Sequence, residues 1–227
     1  MSQTKVVSIG MFRTLVDLES VERVIWHRLL KDKYTTALAE ECTARAGNSL
    51  FNYLPQGKFL SVQSIFKACF SDFLSSVDVD FDAAEAAKVW TQMHSLSAPF
   101  GDSLIFLNSV GNKYPICLAS DADDDMLGVL RQMYAFDHIF TSEQLGSYKA
   151  NGDGKFFSAI INYYGLKPEE IIHIGDGRLE IVGARKAGII TCWLNRNRST
   201  WLHDTKPDYE AKSLIVAASI LGVNIDP

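Results

Sequence analysis

From residue 99 onward the chain keeps one beat, in which short apolar runs alternate with longer segments whose apolar residues recur at helical spacing. The runs are Ile116-Cys117-Leu118-Ala119, His138-Ile139-Phe140, Ile171-Ile172-His173-Ile174 and Ile189 to Leu194. Between and before them lie Asp102 to Val110, Asp124 to Met133, Lys155 to Tyr164 and Ile181 to Ala187, the last two closed by Gly165 and Gly188, which suit helix C-termini. Runs that are apolar throughout suit strands buried on both faces, and strands separated by helices come out parallel. A further β-branched run, Lys5 to Ile9, stands alone near the N-terminus. The pattern predicts an α/β fold: a doubly wound, Rossmann-like parallel sheet with helices on both faces.

The stretch between that first run and residue 99 breaks the beat. Leu18, Val21, Val24, Ile25 and Leu29 fall on one helical face, and similar stripes occupy Ser61 to Leu74 and Ala83 to Met93. Asn48 to Lys58, with Pro55 and Gly57, should divide these helices into groups. The reading is an α/β core of residues 1–15 and 99–227, interrupted by an all-helical insert of residues 16–98.

Composition narrows the function classes. With 47% hydrophobic residues in 227, the chain can bury a substantial core. A net charge of -5 argues against a broad basic face, so no nucleic-acid partner is expected. The longest apolar runs are too short to span a bilayer, the N-terminus lacks signal-peptide character, and no membrane partner is expected. Cys42, Cys69, Cys117 and Cys192 form no CxxC pair, which fits a reduced, soluble, cytoplasmic protein.

In doubly wound sheets ligands bind beyond the carboxyl ends of the strands. The residues there are Gly10 to Thr14, Ser120-Asp121, the segment reaching Lys149, Asp176 to Glu180, and Asn195 to Arg198. A hydroxyl, an ammonium and two carboxylates around one crevice are the groups that hold a phosphate and a magnesium ion. Each is common alone: a serine after a strand usually caps a helix, and Gly175-Asp176-Gly177 usually makes a turn.

In this order the residues resemble the motifs of the haloacid dehalogenase superfamily, most closely the branch with a helical cap inserted after the first motif. Ile9 to Asp17 (IGMFRTLVD) is similar to the first motif, Pro115 to Asp121 (PICLASD) to the second, Lys149 to the third-motif lysine, and Ile172 to Gly188 (IHIGDGRLEIVGARKAG) to the fourth. Trp193 to Arg196 with Pro207-Asp208-Tyr209 matches the family's closing segment. The resemblance implies hydrolysis, most commonly of phosphate monoesters, through an aspartyl ester formed by the first-motif nucleophile. It also implies a small anionic or phosphorylated ligand held by Thr14, Ser120, Asp121 and a catalytic Lys149, to which Arg13 is added by its own charge. Magnesium would be held by Asp176, Glu180 and the Phe12 backbone carbonyl.

The first motif departs from the pattern. The nucleophile position is Gly10, which has no side chain to form an ester, and the acid–base position is Phe12, an aromatic also met in dehalogenases. Arg13 replaces a glycine that permits a tight turn, so the loop should change. Glu180 stands where aspartate is commoner and reaches one methylene further. The changes at residues 10 and 13 move the local charge two units toward positive. Arg13 then either binds an anion by its guanidinium or points into solvent. The chain is accordingly expected to be inactive or very weak, with a weakened magnesium site. The alternatives are an anion-binding regulatory pseudoenzyme and an interaction protein working through its cap.

Other features are given ordinary roles. Asp121, Asp123, Asp124 and Asp125 should start the next helix, where the dipole favours acids. His27, His94, His138, His173 and His203 show no metal-ligand spacing, and His173 is read as packing beside the fourth motif. Asn195 to Arg198 is read as a loop near the crevice. Trp26, Phe51, Tyr53, Phe59 and Trp90 fall mostly on core stripes of the cap, and neither a substrate nor an oligomeric state follows from them.

Overall fold

The computed structural model describes residues 4–53, 58–77 and 79–225. The chain begins with β1 (Val6–Ile9) and β2 (Val16–Asp17), then passes through four helices, α1 (Glu19–Leu30), α2 (Thr36–Tyr53), α3 (Val62–Ser76) and α4 (Ala83–His94). It continues with β3 (Ala98–Pro99), α5 (Ser103–Gly111), β4 (Ile116–Ser120), α6 (Gly128–Met133), β5 (His138–Thr141), α7 (Ser142–Leu145) and α8 (Lys155–Tyr164). The last elements are β6 (Ile171–Gly175), α9 (Arg178–Lys186), β7 (Ile190–Leu194), β8 (Tyr209–Ala211) and α10 (Leu214–Ile220).

Six strands form one parallel sheet in the order β5-β4-β1-β6-β7-β8. Every residue of β1, β4 and β6 is buried, which is why their sequences are apolar runs and not alternations. The chain order reverses on either side of β1, so the crevice of the fold opens above the C-terminal ends of β1, β4 and β6. That places Gly10, Ser120 and Asp176 together.

The four helices form a cap with an aromatic core. Trp26 meets the edge of Phe70 with ring centroids 5.9 Å apart, and Phe66 lies 5.0 Å from Trp90. The cap leaves and rejoins the sheet through a ribbon of two antiparallel strands, with Val16 opposite Pro99 and Asp17 opposite Ala98. It is tied down on the far side as well. The Asp123 carboxylate accepts from the backbone N–H groups of Val62 and Gln63, both at 2.8 Å, and the Tyr148 hydroxyl donates to the Leu60 carbonyl at 2.6 Å.

Several sequence expectations change. The helix expected over Asp124 to Met133 is a 3-10 turn, Asp124–Leu127, followed by α6. The break falls at Gly128, whose φ is 37° and whose Cα approaches the Ser95 carbonyl so closely that a Cβ would lie 1.7 Å from its oxygen. The acidic run does not simply start that helix. Asp123 reaches across to α3, Asp124 accepts from Thr141 and Gln144, and Asp121 accepts from the Lys149 backbone. Helix α2 continues through Asn48 as far as Tyr53, while Pro55 and Gly57 lie outside the described residues. Strands β2, β3 and β8 and the one-turn α7 had no counterpart in the sequence reading. Among the described residues no helix is long and apolar enough to cross a membrane, and the four cysteines are unpaired.

Candidate functional site

The crevice holds a cavity of about 360 Å³ between the sheet and the cap. Its floor carries Ser120, Asp121, Lys149, Asp176 and Glu180, and the cap adds Phe66, Trp90 and His94.

Gly10 extends β1, and its N–H donates to the Ile174 carbonyl at 2.9 Å. Its backbone is not left-handed, so a side chain is sterically conceivable, but the space is already taken. A Cβ at residue 10 would lie 3.1 Å from Thr14 Oγ1 and 3.3 Å from Glu180 Oε2. The Glu180 carboxylate, starting from the first turn of α9, folds back to lie beside residue 10. There its Oε2 accepts from the Lys149 ammonium and, at 3.1 Å, from His173 Nε2, while its Oε1 accepts from the Gly177 N–H at 2.8 Å. Gly175 makes this possible, because a Cβ there would stand 2.3 Å from Glu180 Oε1.

His173 sits on β6 with its Nδ1 accepting from the Ser8 hydroxyl at 2.9 Å. Burial lowers its pKa, so the imidazole is neutral and Nε2 carries the hydrogen it gives to Glu180. Burial by itself raises Glu180, but Lys149 and His173 outweigh it and hold the carboxyl below its usual range. Lys149 is raised for the reciprocal reason: burial disfavours its charge, and Glu180 and Asp121 more than restore it. Lys149 Nζ also donates to the Ala119 carbonyl at 3.2 Å, and its own N–H donates to Asp121 at 2.9 Å.

The other two floor carboxylates lack such a partner. Burial pushes Asp176 up, with Glu180 adding to the shift, and Asp121 is pushed up to about 6 for the same reason. Asp176 Oδ1 accepts from the Thr14 hydroxyl at 3.1 Å, and that hydroxyl accepts from the Asp176 N–H at 3.2 Å. Thr14 is fixed from behind by Arg196, which donates to its carbonyl at 2.9 Å and pairs with Asp102.

Thr14, Ser120, Asp121, Lys149, Asp176 and Glu180 therefore converge, while Arg13 stands at the rim of the cavity. Its side chain is 57% exposed and its guanidinium pairs with Glu22 of the cap at 3.2 Å. The loop does not change as expected: Arg13 keeps a φ of 58°, the left-handed turn a glycine would make. Phe12 lines the cavity and meets the edge of His94, ring centroids 5.7 Å apart.

His94, which has no metal-ligand spacing in the sequence, belongs to the site. This residue, 3% exposed at the end of α4, bonds the Trp90 carbonyl through Nδ1 at 2.7 Å. A carbonyl only accepts, so Nδ1 carries the hydrogen, and burial lowers the pKa to about 4. Nε2 is left as a lone-pair acceptor with no partner among the described residues, in a ring lining the cavity. No spacing signal marks it; only the packing of α4 over the crevice does. Of the cap aromatics singled out, Trp90 lines the cavity, whereas Trp26 belongs to the cap core and Phe59 packs on Tyr148.

Magnesium does not fit these residues. It usually takes one or two carboxylates with water completing the octahedron, and of the expected pair Glu180 has both oxygens bonded, one to an ammonium, which leaves Asp176 alone. Among the described residues no group of three or more His, Cys, Asp or Glu side chains is arranged to hold a metal ion.

The model of the haloacid dehalogenase-like hydrolases matches residues 14–188, most of the chain. The chain belongs to that family. The match begins just after Gly10, Phe12 and Arg13 of this haloacid dehalogenase-like chain. Solved structures share the whole fold at low identity. YfnB of Bacillus subtilis, a protein of the same superfamily solved with magnesium bound, has a TM-score of 0.85 at 18% identity, covering 97% of this chain and 100% of its own. The L-2-haloacid dehalogenase of Xanthobacter autotrophicus gives 0.81 at 15% identity, over 96% of this chain and 98% of its own. The L-2-haloacid dehalogenase RSc1362 gives 0.80 at 15%, over 97% and 100%. No curated protein matches the chain by sequence.

Proposed function

We propose that this haloacid dehalogenase-like chain binds a small molecule in the crevice between sheet and cap without turning it over through an aspartyl ester. The observation that carries the reading is the Glu180 carboxylate lying beside Gly10 and holding Lys149. The family reaction needs a carboxylate oxygen at residue 10 to attack and later be freed by water, and Gly10 supplies no atom for either step. Glu180 is a poor stand-in. It accepts from an ammonium, an imidazole and a backbone N–H, and each stabilises the charge that a nucleophile must give up.

The same pairing weighs against the phosphate ligand and the magnesium ion expected from the motifs. Lys149 is paired with Glu180 and the exposed Arg13 with Glu22, so an anion would have to compete with a carboxylate for each cation. Glu180 would have to leave Lys149 before it could hold a metal.

The test is hydrolysis of phosphomonoesters with magnesium, and of 2-haloacids, by the chain, by Gly10→Asp, and by Gly10→Asp combined with Glu180→Asp. The chain should be silent. Gly10→Asp should gain little, since it sets a second carboxylate against Glu180. The double variant, whose shorter acid withdraws from residue 10, should recover turnover. Hydrolysis by the unaltered chain would overturn the reading.

A further inference from the structure

The donor and acceptor inventory of the crevice goes beyond the loss of turnover, since it states what kind of molecule the cavity complements. Its charged lining residues are Arg13, Glu22, Asp121, Lys149, Asp176 and Glu180, two cations against four carboxylates. Once Arg13 is paired with Glu22 and Lys149 with Glu180, Asp121 and Asp176 remain without an ion pair among the described residues, with Lys149 only partly offsetting their charge. Each has one carboxylate oxygen bonded, Asp121 Oδ1 by the Lys149 N–H and Asp176 Oδ1 by Thr14, and one with no partner among the described residues. The third free group is independent of this acidic pair: His94, 3% exposed and in the cap, lines the cavity with an unpartnered Nε2 that can only accept. Ser120 on the floor and Asn48 on the cap can both give and accept. The walls above are apolar and aromatic, from Phe66 and Trp90 on the cap to Met126 and Leu179 on the core.

We propose that the crevice takes an organic cation, with an ammonium or similarly donor-rich head on Asp121 and Asp176 and an apolar body against Phe66 and Trp90. The proposal rests on the non-covalent reading above and names the ligand class of that same site. An acceptor-only anion would give no hydrogen to the free oxygens of Asp121 and Asp176 or to His94 Nε2, and would compete with Glu180 for Lys149. An ammonium gives up to three hydrogen bonds, offsets the burial that disfavours the charge of the two aspartates, and can rest on an aromatic face. The cavity, about 360 Å³, suits a small-molecule ligand.

The experiment is isothermal titration of the full chain at millimolar concentrations of three matched probes: 2-phenylethylammonium, 2-phenylethanol and 3-phenylpropionate. They share an aryl body and differ in the head group. The expected result is saturable binding of the ammonium, at least tenfold tighter than the carboxylate, with the alcohol between them. The Asp121→Asn/Asp176→Asn variant should lose that preference and bind the ammonium and the alcohol alike. Equal or tighter binding of the carboxylate, no saturable binding of the ammonium, or a preference that survives in the double variant would each overturn the proposal. None of these readings depends on turnover. Hydrolysis by the unaltered chain would refute the non-covalent reading while leaving the head-group preference to stand or fall by titration.

Discussion

At residue 180 one methylene decides the chemistry of the site. The sequence shows that Gly10 cannot attack and that Glu180 is longer than the usual aspartate, but not where the extra length goes. That depends on Gly175 clearing a path and on Lys149 and His173 waiting at the end of it. Breaking one side of a buried ion pair leaves the other charge without compensation, so Glu180→Gln or Lys149→Met should each cost about 3–5 kcal/mol. The two together should cost far less than their sum, because neither charge is then left alone; denaturant unfolding of the three variants measures the difference. His94 gives a pH prediction. Its pKa is about 4 in the fold against 6.5 for the free side chain, lowered by burial and by Arg13, so the unfolded chain takes up the proton first. Stability from neutral His94 is full above about pH 6.5 and is lost on acidification toward about 4, by roughly 3 kcal/mol. Buried Asp121, raised to about 6, works in the opposite sense, so the net curve is not His94 alone. The His94 share is therefore read as a difference: the stability gap between the chain and His94→Gln should narrow as pH falls across that window.

At the scale of elements, the acidic run after β4 shows what a linear reading misses. Four aspartates before a helix look like ordinary N-terminal charge, but the helix end that Asp123 serves is α3, some sixty residues earlier in the chain. Nothing local distinguishes one set of free N–H groups from another, so that partnership exists only once the cap has folded over. Ser61 also caps α3 through the Ser64 N–H, so the helix should survive the loss of Asp123 while its seat on the core loosens. Asp123→Ala should cost about 1–2 kcal/mol. It should also speed hydrogen exchange at the Val62 and Gln63 amides, with the interior of α3 little changed. If those two amides stay as protected as before, the carboxylate is not what secures the cap. Gly128 was equally opaque from sequence: it reads as one residue within a helix, and only the Ser95 carbonyl pressing on it explains the split into a 3-10 turn and α6.

Across the whole molecule, the sheet was the legible part. Its central strands are buried on both faces and so carry uninterrupted apolar runs, and the helices between them force a parallel order. The ribbon of β2 and β3 and the edge strand β8, two or three residues each, are too short to leave a pattern. The site residues were legible as a set through their resemblance to known motifs. Their wiring was not, because which carboxylate meets which cation is settled by side-chain direction. That wiring also bears on the mutational routes open to such a chain. Gly10→Asp taken first places two acids against one lysine, and Glu180→Asp taken first draws the lysine's partner away with nothing to replace it. Neither single step is favourable, so the way back to a nucleophile crosses a valley whichever change comes first. The carboxylate that settled into the vacant place acts as a ratchet: it makes the loss far easier to keep than to undo.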